Sequence, residues 1–228
     1  MRADDYFDRE YFELHEGKRR YLDALIEVLQ RSGVPAGRVL DVGSGLGFFL
    51  EALGNAGFEP CGLEISRHAS SCARRRSGAL VAVGDAEVSL PLHEGAFEAV
   101  TLFDVIEHMR GVAQLLDECR RVLRPGGKLF VITMNAWSLA RPLLGRRWSF
   151  HLDPTHVTLF SKRTLRDAVR RAGFRTERVT TISNFCSVGE GNPRLKPLRK
   201  IGRVVASPWL GDSLLVVAAR DHGIPRSD

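Results

Sequence analysis

A strand-to-helix turn built on three glycines constrains this chain more than any other feature. The segment Val39–Leu50 reads VLDVGSGLGFFL, in which a predicted buried strand containing Asp41 leads through Gly43, Gly45 and Gly47 into a helix. Glycine is needed where the backbone takes a positive φ or where a ligand lies against the main chain. The pattern therefore predicts a ligand-binding turn at the carboxyl end of a β-strand.

The glycine spacing separates this turn from two phosphate-binding turns. A dinucleotide-binding turn, G-x-G-x-x-G, would need its third glycine at position 48, where this chain has Phe48. A P-loop would need a Gly-Lys-Ser/Thr sequence, which does not follow. Asp41 also places a carboxylate beside the turn, and this favours a cationic ligand over a pyrophosphate. These features weigh against a NAD-dependent dehydrogenase.

Short apolar runs alternate with helical patterns along most of the chain. Predicted strands cover Arg38–Val42, Pro60–Ile65, Ala79–Val83, Ala99–Phe103, Lys128–Thr133, Thr176–Ile182 and Ser213–Ala219. Predicted helices cover Lys18–Arg31, Phe48–Ala56, Arg67–Arg76, Val112–Leu123 and Ser161–Ala172. Such alternation is typical of βαβ units, and it predicts an α/β fold with a parallel sheet and helices on both faces.

Two carboxylates follow neighbouring predicted strands. Glu64 ends the second strand, 21 residues after Gly43, and can accept hydrogen bonds from both hydroxyls of a ribose. Asp85, in the sequence GDAE, follows the third strand, where an adenine amino group could be reached. Either residue alone is common on the surface of an α/β protein. With the glycine turn at the same sheet edge, they predict a nucleoside site.

Five ordered motifs resemble one family. The strings DVGSGLG, GLEIS, GDAE, FEAVTLFDVIEHM and RVLRPGGKLFVIT follow one another between Val39 and Asn135. In that order they resemble a class I S-adenosylmethionine-dependent methyltransferase. The tail resembles, more loosely, the ubiquinone-biosynthesis-like small-molecule branch. The resemblance implies a doubly wound, Rossmann-like, seven-stranded and mostly parallel sheet, in which the last strand is antiparallel.

The resemblance also implies a cofactor, S-adenosyl-L-methionine, and the residues that bind it. Asp41 and the loop Gly43–Gly47 would hold its methionine part, Glu64 its ribose, and Asp85 and Ala86 its adenine. Phe103 and Asp104 would lie near the methionine end. The full predicted lining is Asp41, Gly43, Ser44, Gly45, Gly47, Glu64, Ile65, Asp85, Ala86, Phe103, Asp104 and His108.

Methylation of a hydroxyl requires a base, and histidine is the usual one. His156, in DPTHVTLFS, follows the fifth strand, where substrate-facing loops gather in this fold. His151 lies five residues earlier, and Asp153 between them could orient an imidazole. His156 and His151 are the predicted catalytic residues. The alternatives are that Asp153 and His156 only brace the loop, and that His108 lines the cofactor pocket.

The charge distribution is uneven along the chain. Residues 1–136 carry a net charge of −4 and residues 137–228 a net charge of +10. This asymmetry predicts an anionic partner for the second part: a phosphorylated or carboxylated small molecule, an acidic membrane surface with a lipid-linked acceptor, or nucleic acid. A solvated basic helix face is the alternative. The string DPTH does not stand where amino-methylating enzymes carry D-P-P-Y, which argues against a nucleic-acid substrate.

The chain is expected to form a single methyltransferase domain with three parts. Residues 1–36 would be a helical lid, 37–136 the cofactor-binding core, and 137–228 the substrate-side elements, with a basic insertion at 183–212. The four cysteines form no CxxC pair, so no structural metal is expected and a reduced, cytoplasmic protein is predicted.

These observations lead to one functional hypothesis with open alternatives. The sequence predicts a methyltransferase that uses S-adenosylmethionine and acts on a small molecule, most readily at oxygen. Methylation at nitrogen or carbon, and a non-catalytic module that only binds the cofactor, remain the alternatives. The acceptor and the oligomeric state are left open.

Overall fold

Seven strands form one sheet in the order β3-β2-β1-β4-β5-β7-β6. The computed structural model describes residues 19–138, 141, 153–182 and 211–221, with side chains described from residue 21. The strands are β1 (Arg38–Val42), β2 (Glu59–Glu64), β3 (Leu80–Val83), β4 (Phe97–Phe103), β5 (Leu123–Met134), β6 (Phe174–Ile182) and β7 (Ser213–Arg220). The α-helices of the described residues are α1 (Arg19–Arg31), α2 (Phe48–Asn55), α3 (Arg67–Ser77), α4 (Val112–Val122) and α5 (Lys162–Arg171).

The sheet is parallel except at one end. Strands β1 to β5 pair in parallel with one another, whereas β7 runs antiparallel to both of its neighbours, β5 and β6. This arrangement confirms the predicted Rossmann-like α/β fold with its antiparallel last strand. The strand order reverses between β1 and β4, because the chain first builds outward to β3 and then returns. In open α/β sheets such a reversal creates a crevice at the carboxyl ends of the strands.

Element boundaries agree with the sequence pattern to within two residues, except at the start of the fifth strand. That strand begins at Leu123, five residues before the predicted start, because Leu123 already pairs with β4, and the turn through Pro125 and Gly126 then interrupts the pairing. The sixth strand begins at Phe174, since Gly173 takes a φ of 82° and ends the preceding helical stretch. Apolar periodicity misses a single buried residue at the start of a strand when exposed residues follow it.

The apolar core lies on both faces of the sheet. One cluster packs α4 and α5 against one face and includes Leu115, Leu165 and Val169. The other packs α1 and α2 against the opposite face and includes Leu29 and Leu50. The strands between them are buried on both sides, which explains their nearly unbroken apolar sequences.

Candidate functional site

The glycine loop after β1 has the backbone that the sequence predicts. Gly43, Gly45 and Gly47 have φ values of 75°, 52° and 79°. A Cβ on Gly43 would lie 2.5 Å from Val105 Cγ2, and one on Gly47 would lie 2.6 Å from the Cα of Ala73. At these two positions glycine is required both by the backbone conformation and by the lack of space.

Glu64 at the end of β2 fastens this loop to the neighbouring strand. Its Oε2 accepts a hydrogen bond of 2.8 Å from the backbone N–H of Gly45, and its Oε1 accepts one of 2.8 Å from Ser66. The side chain is only 4% exposed. Each carboxylate oxygen can accept two hydrogen bonds, so this clamp leaves acceptor capacity for a ribose hydroxyl.

Asp41 lies within the sheet edge beside this clamp. The hydroxyl of Thr101 on β4 donates a 2.6 Å hydrogen bond to its Oδ1. Burial raises the pKa of Asp41 to about 7, and the Glu64 charge adds to this rise, while the Thr101 hydrogen bond opposes it. A buried carboxylate in this state is stabilised by any cation that approaches it. Sequence reasoning missed Thr101, whose only signal is a hydroxyl within the apolar run AVTLF.

Three predicted cofactor residues, Ile65, Asp85 and Ala86, lie after β2 and β3. Asp85 accepts a 2.9 Å hydrogen bond from the backbone N–H of Glu87, so that it stabilises its own turn. Ala86 is buried, whereas the Ile65 side chain is 55% exposed. The assignment of Asp85 and Ala86 to adenine, and of Ile65 to the cofactor lining, stays a prediction.

The end of β4 contributes two further predicted residues. Phe103 packs edge-on against Phe49 of α2, with ring centroids 5.0 Å apart. Asp104 is the one residue other than glycine with a positive φ, 54°, among the described residues. Its backbone N–H donates to Ile132 on β5, which holds it in this conformation. Strained backbone of this kind is found preferentially at functional sites.

Glu107 links the end of β4 to the loop after β5. Its backbone carbonyl accepts 2.9 Å hydrogen bonds from the N–H groups of Val157 and Thr158. Its carboxyl group is buried, and Thr133 donates to Oε2, while Oε1 has no hydrogen-bond partner among the described residues. Burial and the negative charge of Asp104 raise the pKa of Glu107 to about 8. The predicted site did not include this residue.

A second polar cluster forms where that loop meets β4. His108 Nδ1 lies 2.8 Å from Thr155 Oγ1, and Thr155 donates its hydroxyl hydrogen to Asp153 Oδ1. The rings of His108 and His156 lie against each other with centroids 4.7 Å apart. His156 Nε2 is 3.8 Å from Asp153 Oδ2. We call His108, Asp153, Thr155 and His156 the histidine cluster.

The histidine cluster contains the residue types of a metal site. His108, Asp153 and His156 place one nitrogen or oxygen each within 4.8 Å of one another. A tetrahedral zinc ion, about 2.0–2.1 Å from its ligands, would draw them to roughly 3.4 Å apart. The hydrogen bonds through Thr155 account for the observed arrangement without an ion. The expectation that the protein needs no metal stays a prediction.

Several predicted residues lie outside the described residues. These are His151, the proposed lid through residue 18, and residues 183–210 of the basic insertion. The division into lid, core and substrate-side parts therefore stays a prediction. Within the described residues, no helix is both long and apolar enough to cross a membrane.

Sequence reasoning placed Asp153 beside His151 and His156, but it missed Thr155. The described contacts place Asp153 Oδ2 3.8 Å from His156 Nε2, and they also join Asp153 through Thr155 to His108, 47 residues before Thr155. A hydroxyl next to a histidine in the string DPTH is the only signal that could have indicated this link. The catalytic role of His156 remains a prediction.

The fold and the glycine loop define a class of protein: a Rossmann-like enzyme domain that binds a nucleoside carrying positive charge. Residues 14–179 match the family profile described as a methyltransferase domain. The chain belongs to this methyltransferase family, and S-adenosylmethionine is the cofactor that the family and its relatives indicate.

Curated relatives agree with this family. The chain is 31% identical to a ubiquinone biosynthesis O-methyltransferase of Aromatoleum aromaticum, over 76% of this chain and 78% of that protein. It is 36% identical to the biotin biosynthesis bifunctional protein BioHC of Cellvibrio japonicus, over 60% of this chain. The chain spans only 27% of BioHC and 59% of the ubiquinone O-methyltransferase of Sodalis glossinidius.

Solved structures share the fold at lower identity. A methyltransferase from Thermotoga maritima that depends on S-adenosylmethionine superposes with a TM-score of 0.70 at 22% identity, covering 96% of this chain and 98% of that one. The [4+2]-cyclase SpnF superposes with a TM-score of 0.63 at 23% identity, covering 88% and 82%. The second similarity shows that this fold alone does not determine the reaction.

The carboxyl and hydroxyl groups of the site fit S-adenosylmethionine. The ligand carries a sulfonium and an ammonium, and the buried carboxyl groups of Asp41 and Glu64 lie at the same edge of the sheet. Ser44, within the glycine loop, has a buried hydroxyl that finds no hydrogen-bond partner in the part of the chain that the structure describes. An acidic edge beside a left-handed glycine backbone suits a cationic nucleoside.

Proposed function

We propose that this protein transfers a methyl group from S-adenosylmethionine to a hydroxyl oxygen of a small-molecule acceptor. The family supports the cofactor, and the pair of adjacent imidazoles, His108 and His156, supports oxygen as the site of methylation. A hydroxyl must lose its proton as it is methylated, whereas an amine can supply a free lone pair. The imidazole pair beside the cofactor edge is the observation that carries this proposal.

The bound cofactor supplies an electrophilic methyl group on its sulfonium. The chain contributes alignment: Asp41, Glu64 and the glycine loop hold the cofactor from the carboxyl ends of β1 and β2. Holding the reacting atoms in line contributes about 7–11 kcal/mol in well-oriented reactions. A positioned base adds roughly 10²–10⁴-fold. His156, as predicted from the sequence, and His108 are the described groups able to provide it.

We further propose that the acceptor is anionic or lipid-linked. Helix α5 begins just after the histidine cluster, and its cations outnumber its single carboxylate, Asp167. Those cations are Lys162, Arg163, Arg166, Arg170 and Arg171. Such a face favours a phosphorylated or carboxylated acceptor, or peripheral contact with an acidic membrane surface. Nucleic acid is not part of the proposal.

Calorimetric titration of the complete protein with S-adenosylmethionine, S-adenosylhomocysteine and NAD tests the cofactor. We expect micromolar binding of the two sulfur compounds and no heat from NAD. Acceptor candidates are then screened with cofactor carrying a carbon-13 methyl group. The chemical shift of the product methyl separates oxygen, nitrogen and carbon acceptors, and a product methylated at nitrogen or carbon would overturn the oxygen assignment.

The charge of the acceptor is tested by paired compounds. Each hydroxylated compound is assayed with and without a phosphate or carboxylate group, and binding to vesicles with and without phosphatidylserine is measured by sedimentation. We expect the anionic member of each pair, or the acidic vesicle, to be preferred. Equal activity on both members together with no vesicle binding would favour a solvated basic face. Tight cofactor binding without any turnover would favour a non-catalytic module.

A further inference from the structure

The hydroxyl group of Thr155 joins His108 to Asp153. Because this group has a single hydrogen, it can donate to only one of the two residues and must accept from the other. Although burial alone raises the pKa of Asp153, the hydrogen bonds from Thr155 hold this pKa below its usual value. Asp153 is therefore ionised near neutral pH and can only accept. Thr155 has one hydroxyl hydrogen and donates it to Asp153, so its oxygen must accept from His108 Nδ1–H.

This direction selects one tautomer of His108. With its hydrogen on Nδ1, the neutral imidazole carries a free lone pair on Nε2. The hydrogen bond that the structure describes between the His108 ring and another side chain is the one at Nδ1. The ring is thus held from one side while its other nitrogen remains available as a proton acceptor. A carboxylate that orients an imidazole in this way, here through a hydroxyl, is a known arrangement for a general base.

The surroundings also keep His108 in its neutral form. Burial and the neighbouring imidazole of His156 lower the pKa of His108, while Asp153 and the Thr155 backbone act in the opposite direction. The acidic groups nearest along its own segment are Glu107 and Asp104. A neutral imidazole near neutral pH is the form that can accept a proton.

We propose that His108 is the general base of the reaction and that Thr155 and Asp153 are positioning residues which fix its tautomer. This inference rests on the proposed O-methylation. The acceptor hydroxyl gives its proton to His108 Nε2 as its oxygen forms a bond to the methyl carbon. The carbon–sulfur bond breaks, its electron pair stays on sulfur to give S-adenosylhomocysteine, and the imidazolium releases its proton to water.

His156 takes a supporting position in this assignment. Its backbone N–H donates to the carbonyl oxygen of Asp153, and its ring packs against that of His108. It therefore helps to hold both the loop and the imidazole. The sequence prediction selected His156 from its place after the fifth strand. The hydrogen-bond relay instead points to its neighbour.

The first test reads the tautomer without any substrate. The complete protein is labelled with nitrogen-15 histidine, and the signals of His108 are identified by their loss in His108→Asn. We expect Nδ1 to be protonated and Nε2 to be unprotonated above the pKa of the ring. Thr155→Val should produce a mixture of tautomers, and Thr155→Ser should restore the single form. Thr158→Val is the matched control. Thr158 lies on the same loop as Thr155, but its hydroxyl donates to the backbone carbonyl of Met109 and takes no part in the link between His108 and Asp153.

The second test uses turnover on an acceptor found by the screen described above. We expect His108→Asn to lower kcat by about 10²–10⁴-fold, with cofactor affinity unchanged. Thr155→Val should lower kcat less, leave the acceptor KM unchanged and recover in Thr155→Ser. His156→Asn should have a smaller effect than His108→Asn. The acidic limb of the kcat/KM profile should disappear in His108→Asn.

Three results would overturn this assignment. They are a His108 protonated on Nε2 in the unliganded protein, normal turnover of His108→Asn, and a stoichiometric metal ion on the purified protein that occupies the Nε2 lone pair. If no acceptor is methylated by the unmodified protein, the proposed function fails instead. The tautomer measurement still decides whether the relay exists, so the two failures are distinguishable.

Discussion

The glycine loop with its carboxylates and the histidine cluster are built in different ways. In the first, backbone N–H groups and buried carboxylates join β1, β2 and β4, and both Asp41 and Glu64 are 4% exposed. In the second, side chains from two loops meet through one hydroxyl, and they remain partly exposed. The first depends on the sheet and the second on the loop after β5.

This difference separates two tasks. A cofactor that does not change can be held by a rigid edge whose geometry the sheet dictates, whereas the proposed acceptor recognition and proton transfer are assigned to a loop that can vary. Substitutions in the glycine loop should therefore affect folding and cofactor binding together. Substitutions in the histidine cluster should affect turnover with little effect on folding. The predictions below test this contrast.

The largest effect is expected for Gly47→Ala. The new methyl group would meet the backbone of Ala73 at a φ of 79°. The left-handed conformation costs about 1–2 kcal/mol and overpacking about 1–3 kcal/mol, so the free energy of unfolding should fall by roughly 2–5 kcal/mol. Urea denaturation measures it. Gly78→Ala is the matched control, because Gly78 also has a positive φ, 68°, but open space around it; equal losses in both variants would contradict the packing argument.

Glu64→Gln should affect folding and cofactor binding together. An amide has one acceptor oxygen, so one of the two backbone N–H groups of Gly45 and Ser66 would lose its partner. We expect a loss of about 1–3 kcal/mol in unfolding free energy and S-adenosylmethionine binding at least about tenfold weaker. Denaturation and calorimetry measure the two effects. The control is Glu59→Gln, which removes the same charge from an exposed position at the start of β2 and should change neither stability nor cofactor binding. Unaltered cofactor binding in Glu64→Gln would mean that Glu64 holds the loop but does not bind the ribose.

Asp41 should make stability depend on pH. The pKa of Asp41 is about 7 in the folded protein, against 3.8 for an unperturbed aspartate. Between these pH values the folded state holds a proton that the unfolded state has released. The free energy of unfolding should therefore fall as pH rises from about 4 to about 7. Asp41→Asn should flatten this part of the curve, measured by urea denaturation across pH. The raised pKa of Glu107 makes the free energy of unfolding decrease over an overlapping pH range. The test is therefore the difference between the stability curves of the unmodified protein and of Asp41→Asn. A difference that does not vary with pH would mean that Asp41 is already ionised.

The smallest effect is expected for Ser161→Ala. Ser161 caps α5 by accepting from the Thr164 N–H, and Thr164 reciprocates. Loss of such a cap costs about 0.5–2 kcal/mol. Cofactor affinity should not change, since α5 packs against α4, β6 and β7. A change in turnover larger than the change in stability would show that the helix start also positions the loop of the histidine cluster.

Much of the cofactor edge could be predicted because its signals are local. Gly43, Gly47 and Glu64 lie at strand ends, where a short motif determines both the backbone conformation and the side of the sheet. Thr101 was not predicted, because a hydroxyl group in an apolar run looks like an isolated polar residue, and its partner lies on β1. Glu107 was not predicted, because it lies in a short helical turn after β4 and its partner lies on β5. Neither partner can be identified before the sheet is assembled.

The sequence by itself determined the α/β class, the positions of most helices and strands, the family, the cofactor and the left-handed turn after β1. These follow from periodicity and from residue types whose backbone preferences act over a few residues. Only the tertiary structure decided that the carboxylate of Asp153 is linked through Thr155 to His108. This link depends on bringing Thr155 to within hydrogen-bonding distance of His108, 47 residues earlier in the chain. Contacts over such separations are made by the packing of the loop after β5 against the end of β4, and no local pattern encodes them.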